Sequence, residues 1–391
     1  MIPYLSFTYF GILFAVAVPT VLIALTGKQR LMQGWILAST AMMFMVMYST
    51  QRPLGGGVLI PVLYIALGFL LLQWAIMRTF IFLWGRRRHQ SILYTAVFLS
   101  AIPAFSMIVA SGYDSRSLIG FMGTFFMSFR ALSLLFDISD GIIPATPSFL
   151  EYIAFIAFFP TVSLGPIDRY LRFRTDWNHT RTRAEVFRDV LAGVDKIVLG
   201  FFFKFIMAVL VHRYWIEPSM GHDTFRIISF MYAYLFYEFF DIAGYSAFAI
   251  GTSYLFGIHT PENFNKPFLS RNIRDFWNRW HISLSWWLRD YVYSRFVYAA
   301  LKHHWFKYDV IASWIGYILV MLLLGLIHKA VWMLVANGLY MGMLLIVYDI
   351  FHRWRRRRGP ASESRISAAL SILLTLNAVS FGFLLFSQHF S

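Results

Sequence analysis

Apolar stretches close to twenty residues long recur along almost the whole chain, at 5–25, 31–49, 58–83, 92–111, 118–136, 149–164, 190–212, 226–256, 283–301, 310–328, 330–351 and 366–387. About twenty mainly apolar residues coiled as a helix cross the hydrocarbon of a bilayer. Inside that hydrocarbon the backbone has no water to bond to, so a spanning helix closes its hydrogen bonds internally. The expectation is an all-α, polytopic membrane fold. No segment reads as a separate soluble domain, so the expectation is one transmembrane domain over 1–391.

Composition agrees. The chain is 59% hydrophobic and 14% charged, whereas a soluble domain is nearer half apolar and a quarter charged. The net charge of +15 comes from 34 basic and 19 acidic residues. In a soluble protein that excess would suggest nucleic acid. Here the bases sit in linkers between apolar runs, the pattern of cytoplasmic loops facing anionic lipid, so membrane lipids and no nucleic acid are expected as partners. There is no cysteine, which excludes disulfides, thiolate metal sites and an enzyme thiol as acyl carrier. The first 25 residues lack a basic start and a small-residue cleavage site, and read as a retained helix.

Loop charge predicts orientation. The linkers with Lys28 and Arg30, with Arg86 to Arg88, with Arg169, Arg172, Arg174, Arg181 and Arg183, and with Arg353 and Arg355 to Arg358 should be cytoplasmic, while Gly55 to Gly57 carries no base. The N-terminus is then outside. Three apolar runs separate Arg88 from Arg169, yet an odd number of crossings cannot return to one side. The run 149–164, with Glu151 and Pro160, is the one expected to be re-entrant or interfacial. The same parity problem between 266–279 and Arg353 falls on 283–301, which holds Arg289, Asp290 and Arg295.

Arg130, Lys204, Glu238, Asp241, His281 and His328 lie within apolar runs. Ionisable groups at that depth are costly unless paired or functional. Arg130 and Lys204 are expected to snorkel or to pair with carboxylates. Glu238 and Asp241, three residues apart on one helix face, could hold such a base. The densest cluster runs from Arg274 to Tyr291 and puts four tryptophans within eleven residues. Read as one helix, it pairs Asp275 with Arg279 and stacks Trp277, His281 and Ser285 on one face. It mixes charge with aromatics as the wall of a site would. His328 ends an apolar run. It is either a packing residue or a general base, since imidazole titrates near neutrality. No Walker loop, dinucleotide fingerprint or H-E-x-x-H is present. Asn178-His179-Thr180 fits a glycosylation sequon but lies in a predicted cytoplasmic loop.

The run from Arg274 to Tyr291 resembles the central signature of the membrane-bound O-acyltransferase (MBOAT) family, and more closely its D-alanyl-transfer branch. Phe158-Phe159-Pro160-Thr161, Gly165-Pro166-Ile167-Asp168-Arg169-Tyr170, Phe240-Asp241-Ile242-Ala243-Gly244-Tyr245 and Pro261 to Phe268 match in the expected order. After Arg289-Asp290-Tyr291, Ser294 to Tyr298 replaces the Ile-Pro-Leu-Gly-Gly stretch expected of an alginate-type acetyltransferase. The resemblance implies a ring of about 10–11 transmembrane helices with short re-entrant or interfacial helices and a core signature at 261–345. It implies a cytosolic donor, D-alanine held as a thioester on the phosphopantetheine of a small acidic carrier protein, the D-alanyl carrier protein (DltC-like). No cofactor is expected on the chain itself, and no metal. A DltD-like membrane partner and a small DltX-like peptide would pass the group to lipoteichoic acid in a bacterial cell membrane. The family's essential histidine maps onto His328 and its second onto His281. Trp277, Asn278, Ser285, Trp286, Arg289 and Asp290 would line or support the tunnel, with carrier docking near Val297 and Tyr298. Two positions depart from the family pattern. His328 stands between Ile327 and Lys329 where Trp-His-Gly is usual, and Met341 follows Gly338-Leu339-Tyr340 where a histidine is usual. A transporter and a non-catalytic scaffold are the competing classes, though no paired halves of a transporter are visible.

Overall fold

The computed structural model describes residues 3–48, 62–112, 123–221, 223–328, 332–357 and 364–387, with side chains placed at all of these but 62, 107–112, 328 and 332. All regular structure there is helical: α1 Phe7–Leu25, α2 Gln29–Tyr48, α3 Val62–Arg86, α4 Gln90–Gly112, α5 Thr124–Ser139, α6 Phe149–Ile156, α7 Phe159–Val162, α8 Tyr170–Asn178, α9 Arg183–Phe201, α10 Ala208–Val211, α11 Thr224–Leu255, α12 Ile273–Trp277, α13 Ile282–Leu288, α14 Ser294–Lys302, α15 Asp309–His328, α16 Trp332–Arg357 and α17 Arg365–Phe386. Seven helices among the described residues are long and apolar enough to cross a bilayer. The chain is a multi-pass membrane protein. Side chains such as Val18 and Leu22 on α1 and Leu374 on α17 stand more than half exposed, a liability in water and the ordinary state against lipid. Gly55 to Gly57, Lys329 and Arg358 lie outside the described residues.

Of the two runs singled out by loop parity, 149–164 is broken, while 283–301 lies in one helical run that widens at a π-helical turn. The stretch 149–164 folds as two short helices, α6 and α7. At about 1.5 Å per residue α6 reaches only about 12 Å, less than half the hydrocarbon. Ser148 caps it by accepting from Glu151 N at 3.3 Å, and Pro160 falls in the first turn of α7, where its missing N–H costs nothing. The stretch 283–301 holds α13, a wide π-helical turn over Arg289–Tyr293, and α14.

The chain separates into two compact units, Met1–Phe201 with Gly244–Pro261, and Phe202–Ala243 with Glu262–Ser391. In the first, Arg130 is 1% exposed. The expectation that it snorkels or pairs with a carboxylate is not met. Its guanidinium donates instead to the carbonyls of Phe155, Ile156 and Thr161, each at 3.2 Å. Short helices leave terminal carbonyls without partners, and a cation fixed among them satisfies several at once. Gly193 and Gly251 let α9 and α11 meet backbone to backbone, since a Cβ on Gly193 would lie 2.8 Å from the Gly251 carbonyl.

In the second unit α15 and α16 pack closely over Gly325, Gly338 and Gly342. Lys204 pairs with Asp241, as the sequence anticipated for an intramembrane base. Near one end of the helix pair, Asp349 is 5% exposed and accepts from Arg353 at 2.7 Å and from the Trp314 indole at 3.1 Å. Arg274 lies 3.5 Å away from the same carboxylate.

Candidate functional site

The tryptophan-rich run does not form the single helix that its periodicity suggested. It breaks between α12 and α13, and His281 sits at the break with φ 45° and ψ 50°, a left-handed conformation uncommon outside glycine. The cause is tertiary. Asn265 N donates to Arg279 O at 3.0 Å, and Ile282 N to Asn263 O at 2.8 Å. The fully buried Asn263 also accepts from Ser283 Oγ at 2.6 Å through its side chain. A neighbouring strand of irregular chain thus takes the hydrogen bonds that a continuous helix would have made. Asp275 and Arg279 remain paired at 2.7 Å. Trp277, His281 and Ser285 are no longer one helical stripe, yet all three line one cavity.

That cavity, about 50 Å³, lies wholly within the second unit, between α11, the α12–α13 break, α15, α16 and α17. A wider cavity of about 390 Å³ shares Trp277, Ser285, Met321 and Leu324 with it and extends past Asn278, Trp286 and Arg289 to Tyr317. Five of the six residues expected to line the tunnel therefore do line this pair of cavities. The sixth, Asp290, lines neither and accepts from Arg289 at 2.8 Å. Arg274 lies at the wider cavity, with Tyr317 Oη 2.8 Å from its guanidinium. On α14, Tyr298 is 67% exposed, while Val297 packs toward α15 at Gly316.

His328 ends α15, and the placement of its imidazole lies outside the described residues. Its position on the helix is described. The lining residues of α15 are Tyr317, Val320, Met321, Leu324 and Gly325. At about 100° per residue these occupy one face, and residue 328 falls near the middle of that face, one turn beyond Leu324 and Gly325. The stripe from Tyr317 to position 328 is about 16 Å long.

Among the cavity residues not expected at the site are Glu238, Asn337 and Met341. Glu238 was read as a partner for a buried base, but Lys204 pairs with Asp241. Among the described residues no three His, Asp or Glu side chains converge as a metal site requires. A polar network in the first unit was also not visible in sequence. His259 lies 2.9 Å from Asp189 and 3.3 Å from Asp176, Arg172 pairs with Asp168 and Asp176, and Arg181 donates to Asp189 at 3.1 Å. Hydrogen bonds to Asp176 and Asp189 push the His259 pKa up to about 9. Burial would raise that of Asp176, but the hydrogen bonds from His259 and the Arg172 charge hold it below the ordinary carboxylate value.

An all-helical membrane fold holds His281 at a broken helix beside a cavity that runs along one face of α15. Residues 34–387 match MBOAT, the membrane-bound O-acyltransferase family. The chain belongs to that family and is an acyltransferase. Its relatives narrow the comparison. It is 35% identical over 99% of its length to the teichoic acid D-alanyltransferase of Bacillus subtilis (strain 168), covering 98% of that protein. It is 34% identical over 78% of its length to the teichoic acid D-alanyltransferase of Streptococcus thermophilus, covering 77% of that protein. It is also 30% identical over 68% of its length to the probable alginate O-acetylase AlgI of Pseudomonas aeruginosa, covering 48% of that protein.

Proposed function

We propose that this protein moves D-alanine from the phosphopantetheine thioester of a cytosolic carrier protein to an acceptor hydroxyl reached from the extracellular side, on the way to lipoteichoic acid. The near full-length similarity to a teichoic acid D-alanyltransferase supports the acyl group and the acceptor. The observation that carries the mechanism is the α15 stripe, along which the wide cavity, the narrow cavity and position 328 follow one another. The basic linkers, counted as cytoplasmic, put the N-terminus outside and suit an acidic carrier.

In this reading the carrier docks near Val297 and Tyr298, and the arm enters along the wide cavity. Its amides and thioester meet apolar walls with a few polar groups, among them Asn278, Ser285 and the Trp277 indole N–H, which is buried without a hydrogen-bond partner. His328 takes the proton of the acceptor hydroxyl. The hydroxyl oxygen attacks the thioester carbonyl carbon, the carbon–sulfur bond breaks, and the proton passes on to the leaving thiolate. His281 and Trp277 are placed to donate to the carbonyl oxygen as negative charge develops there. The enclosed site disfavours hydrolysis by excluding bulk water. A DltD-like membrane protein and a small DltX-like peptide are the partners for later transfer.

Reconstitution of the chain in liposomes with D-alanyl-loaded carrier, followed by chemical identification of the acylated product, tests this reading. A D-alanyl ester formed only with the protein present is the expected result. Solute flux without carrier, or carrier binding without any transfer, would replace it with the transporter or the scaffold class.

A further inference from the structure

We infer that the narrow cavity is an ammonium-binding pocket for the acyl group, in which the Glu238 carboxylate pairs with the α-amino group and selects an aminoacyl donor over a neutral one. This rests on the D-alanyl transfer proposed above. The cavity offers about 50 Å³. By the measure on which one water needs about 10–15 Å³, that is room for a few heavy atoms and not for a long chain. The head of a small acyl group fits, and the acyl group in question carries a cation.

The chemistry of the lining is unusual for an apolar slot. Glu238, Asn337, His281 and the rings of Trp277 and Trp280 all face it. Glu238 is held by the Tyr234 hydroxyl. Among the described residues no cationic side chain stands in ion-pair contact with it, because the nearby Lys204 is engaged by Asp241. A carboxylate enclosed in this way, with the nearby Lys204 charge shared with Asp241, is costly, and an arriving ammonium supplies a direct partner. The Asn337 side-chain oxygen is buried with no hydrogen-bond partner, and is a second acceptor for an N–H of that ammonium. The Trp277 N–H, also buried and unpartnered, is a donor suited to the acyl carbonyl oxygen. Acceptors for the amine and a donor for the carbonyl thus share one small space, beside the face of α15 that leads to position 328.

The test compares three loaded carriers in proteoliposomes: D-alanyl, D-lactyl, which exchanges the amine for a hydroxyl at nearly constant shape, and acetyl. The wild type is expected to prefer D-alanyl. Glu238→Gln keeps shape and removes charge, and is expected to lower the ratio of D-alanyl to D-lactyl kcat/KM on the order of tenfold or more. Tyr234→Phe, which removes only the hydroxyl bonded to Glu238, should lower that ratio in the same direction by less, and serves if the Gln variant fails to fold. A ratio kept at the wild-type value in a folded variant overturns the role of Glu238 while leaving D-alanyl transfer standing. A wild type that moves only the neutral groups, or none, overturns D-alanyl transfer itself.

Discussion

Gly338→Ala tests whether the α15–α16 contact sets the geometry of the site. Gly338 lines the narrow cavity. A Cβ there would stand 2.6 Å from the Met321 carbonyl oxygen and 3.0 Å from Leu322 Cα. Carbon contacts are comfortable at about 3.5–4.0 Å. The obstructing atoms are backbone and cannot rotate aside, so the two helices must part by somewhat under about 1 Å. Overpacking of this kind costs about 1–3 kcal/mol. The gain in helix propensity from Gly to Ala returns up to about 1 kcal/mol. The net loss of stability should therefore be about 1 kcal/mol. Rate should suffer more than stability, because a displacement near 1 Å at a reacting centre can cost about a hundredfold. The assay is single-turnover transfer from loaded carrier in proteoliposomes, with the thermal midpoint measured on the same preparation. Gly34→Ala, where nothing lies within 4 Å, is the control and should transfer normally. Wild-type transfer by Gly338→Ala would refute the idea that close packing of these helices positions the site.

Other expectations follow from the same interactions. Arg130→Met leaves three buried carbonyls without their donor, at about 1–3 kcal/mol for each group left unsatisfied, so the variant should lose most of its folded yield by fluorescence-detected size exclusion. Asn263→Ala removes the side-chain acceptor of Ser283 Oγ and N and should cost about 1–3 kcal/mol, with transfer falling further than the midpoint alone explains because only the backbone bond from Ile282 N then ties this segment to the His281 turn. His259 has its pKa raised to about 9 from an ordinary 6.5, so its stabilisation is complete below about pH 6.5 and is lost as pH climbs through about 9. The difference in thermal midpoint between wild type and His259→Gln should therefore shrink between pH 7 and pH 10, from a value worth about 1 kcal/mol for so exposed a side chain. A constant difference would mean that packing, not charge, is what the substitution removes.

Much of the architecture could be read in advance, and the reasons differ by element. Spans were legible because hydrocarbon thickness fixes their length. The short helices at 149–164 were legible because Glu151 and Pro160 interrupt that apolar run and loop charge argues against a crossing there. The break at His281 was not, since Asn278-Arg279-Trp280-His281 contains neither proline nor glycine. It is imposed by hydrogen bonds with the Asn263 carbonyl and the Asn265 N–H, which no local pattern reveals. Trp277, Asn278, Ser285, Trp286 and Arg289 could be named because they sit in one dense run. Glu238 and Asn337 reach the same cavity from other helices, and only the fold brings them there. Arg130 looked like a snorkelling or ion-paired base because sequence does not show that α6 and α7 end with free carbonyls beside it.

The central claim is that the imidazole at position 328 is the base of acyl transfer. The measurement is single-turnover loss of D-alanine from loaded carrier to acceptor, by wild type and by His328→Ala, with carrier affinity and thermal midpoint taken in parallel. Transfer is expected to be abolished while carrier binding and folding persist. Transfer at the wild-type rate by His328→Ala would contradict it.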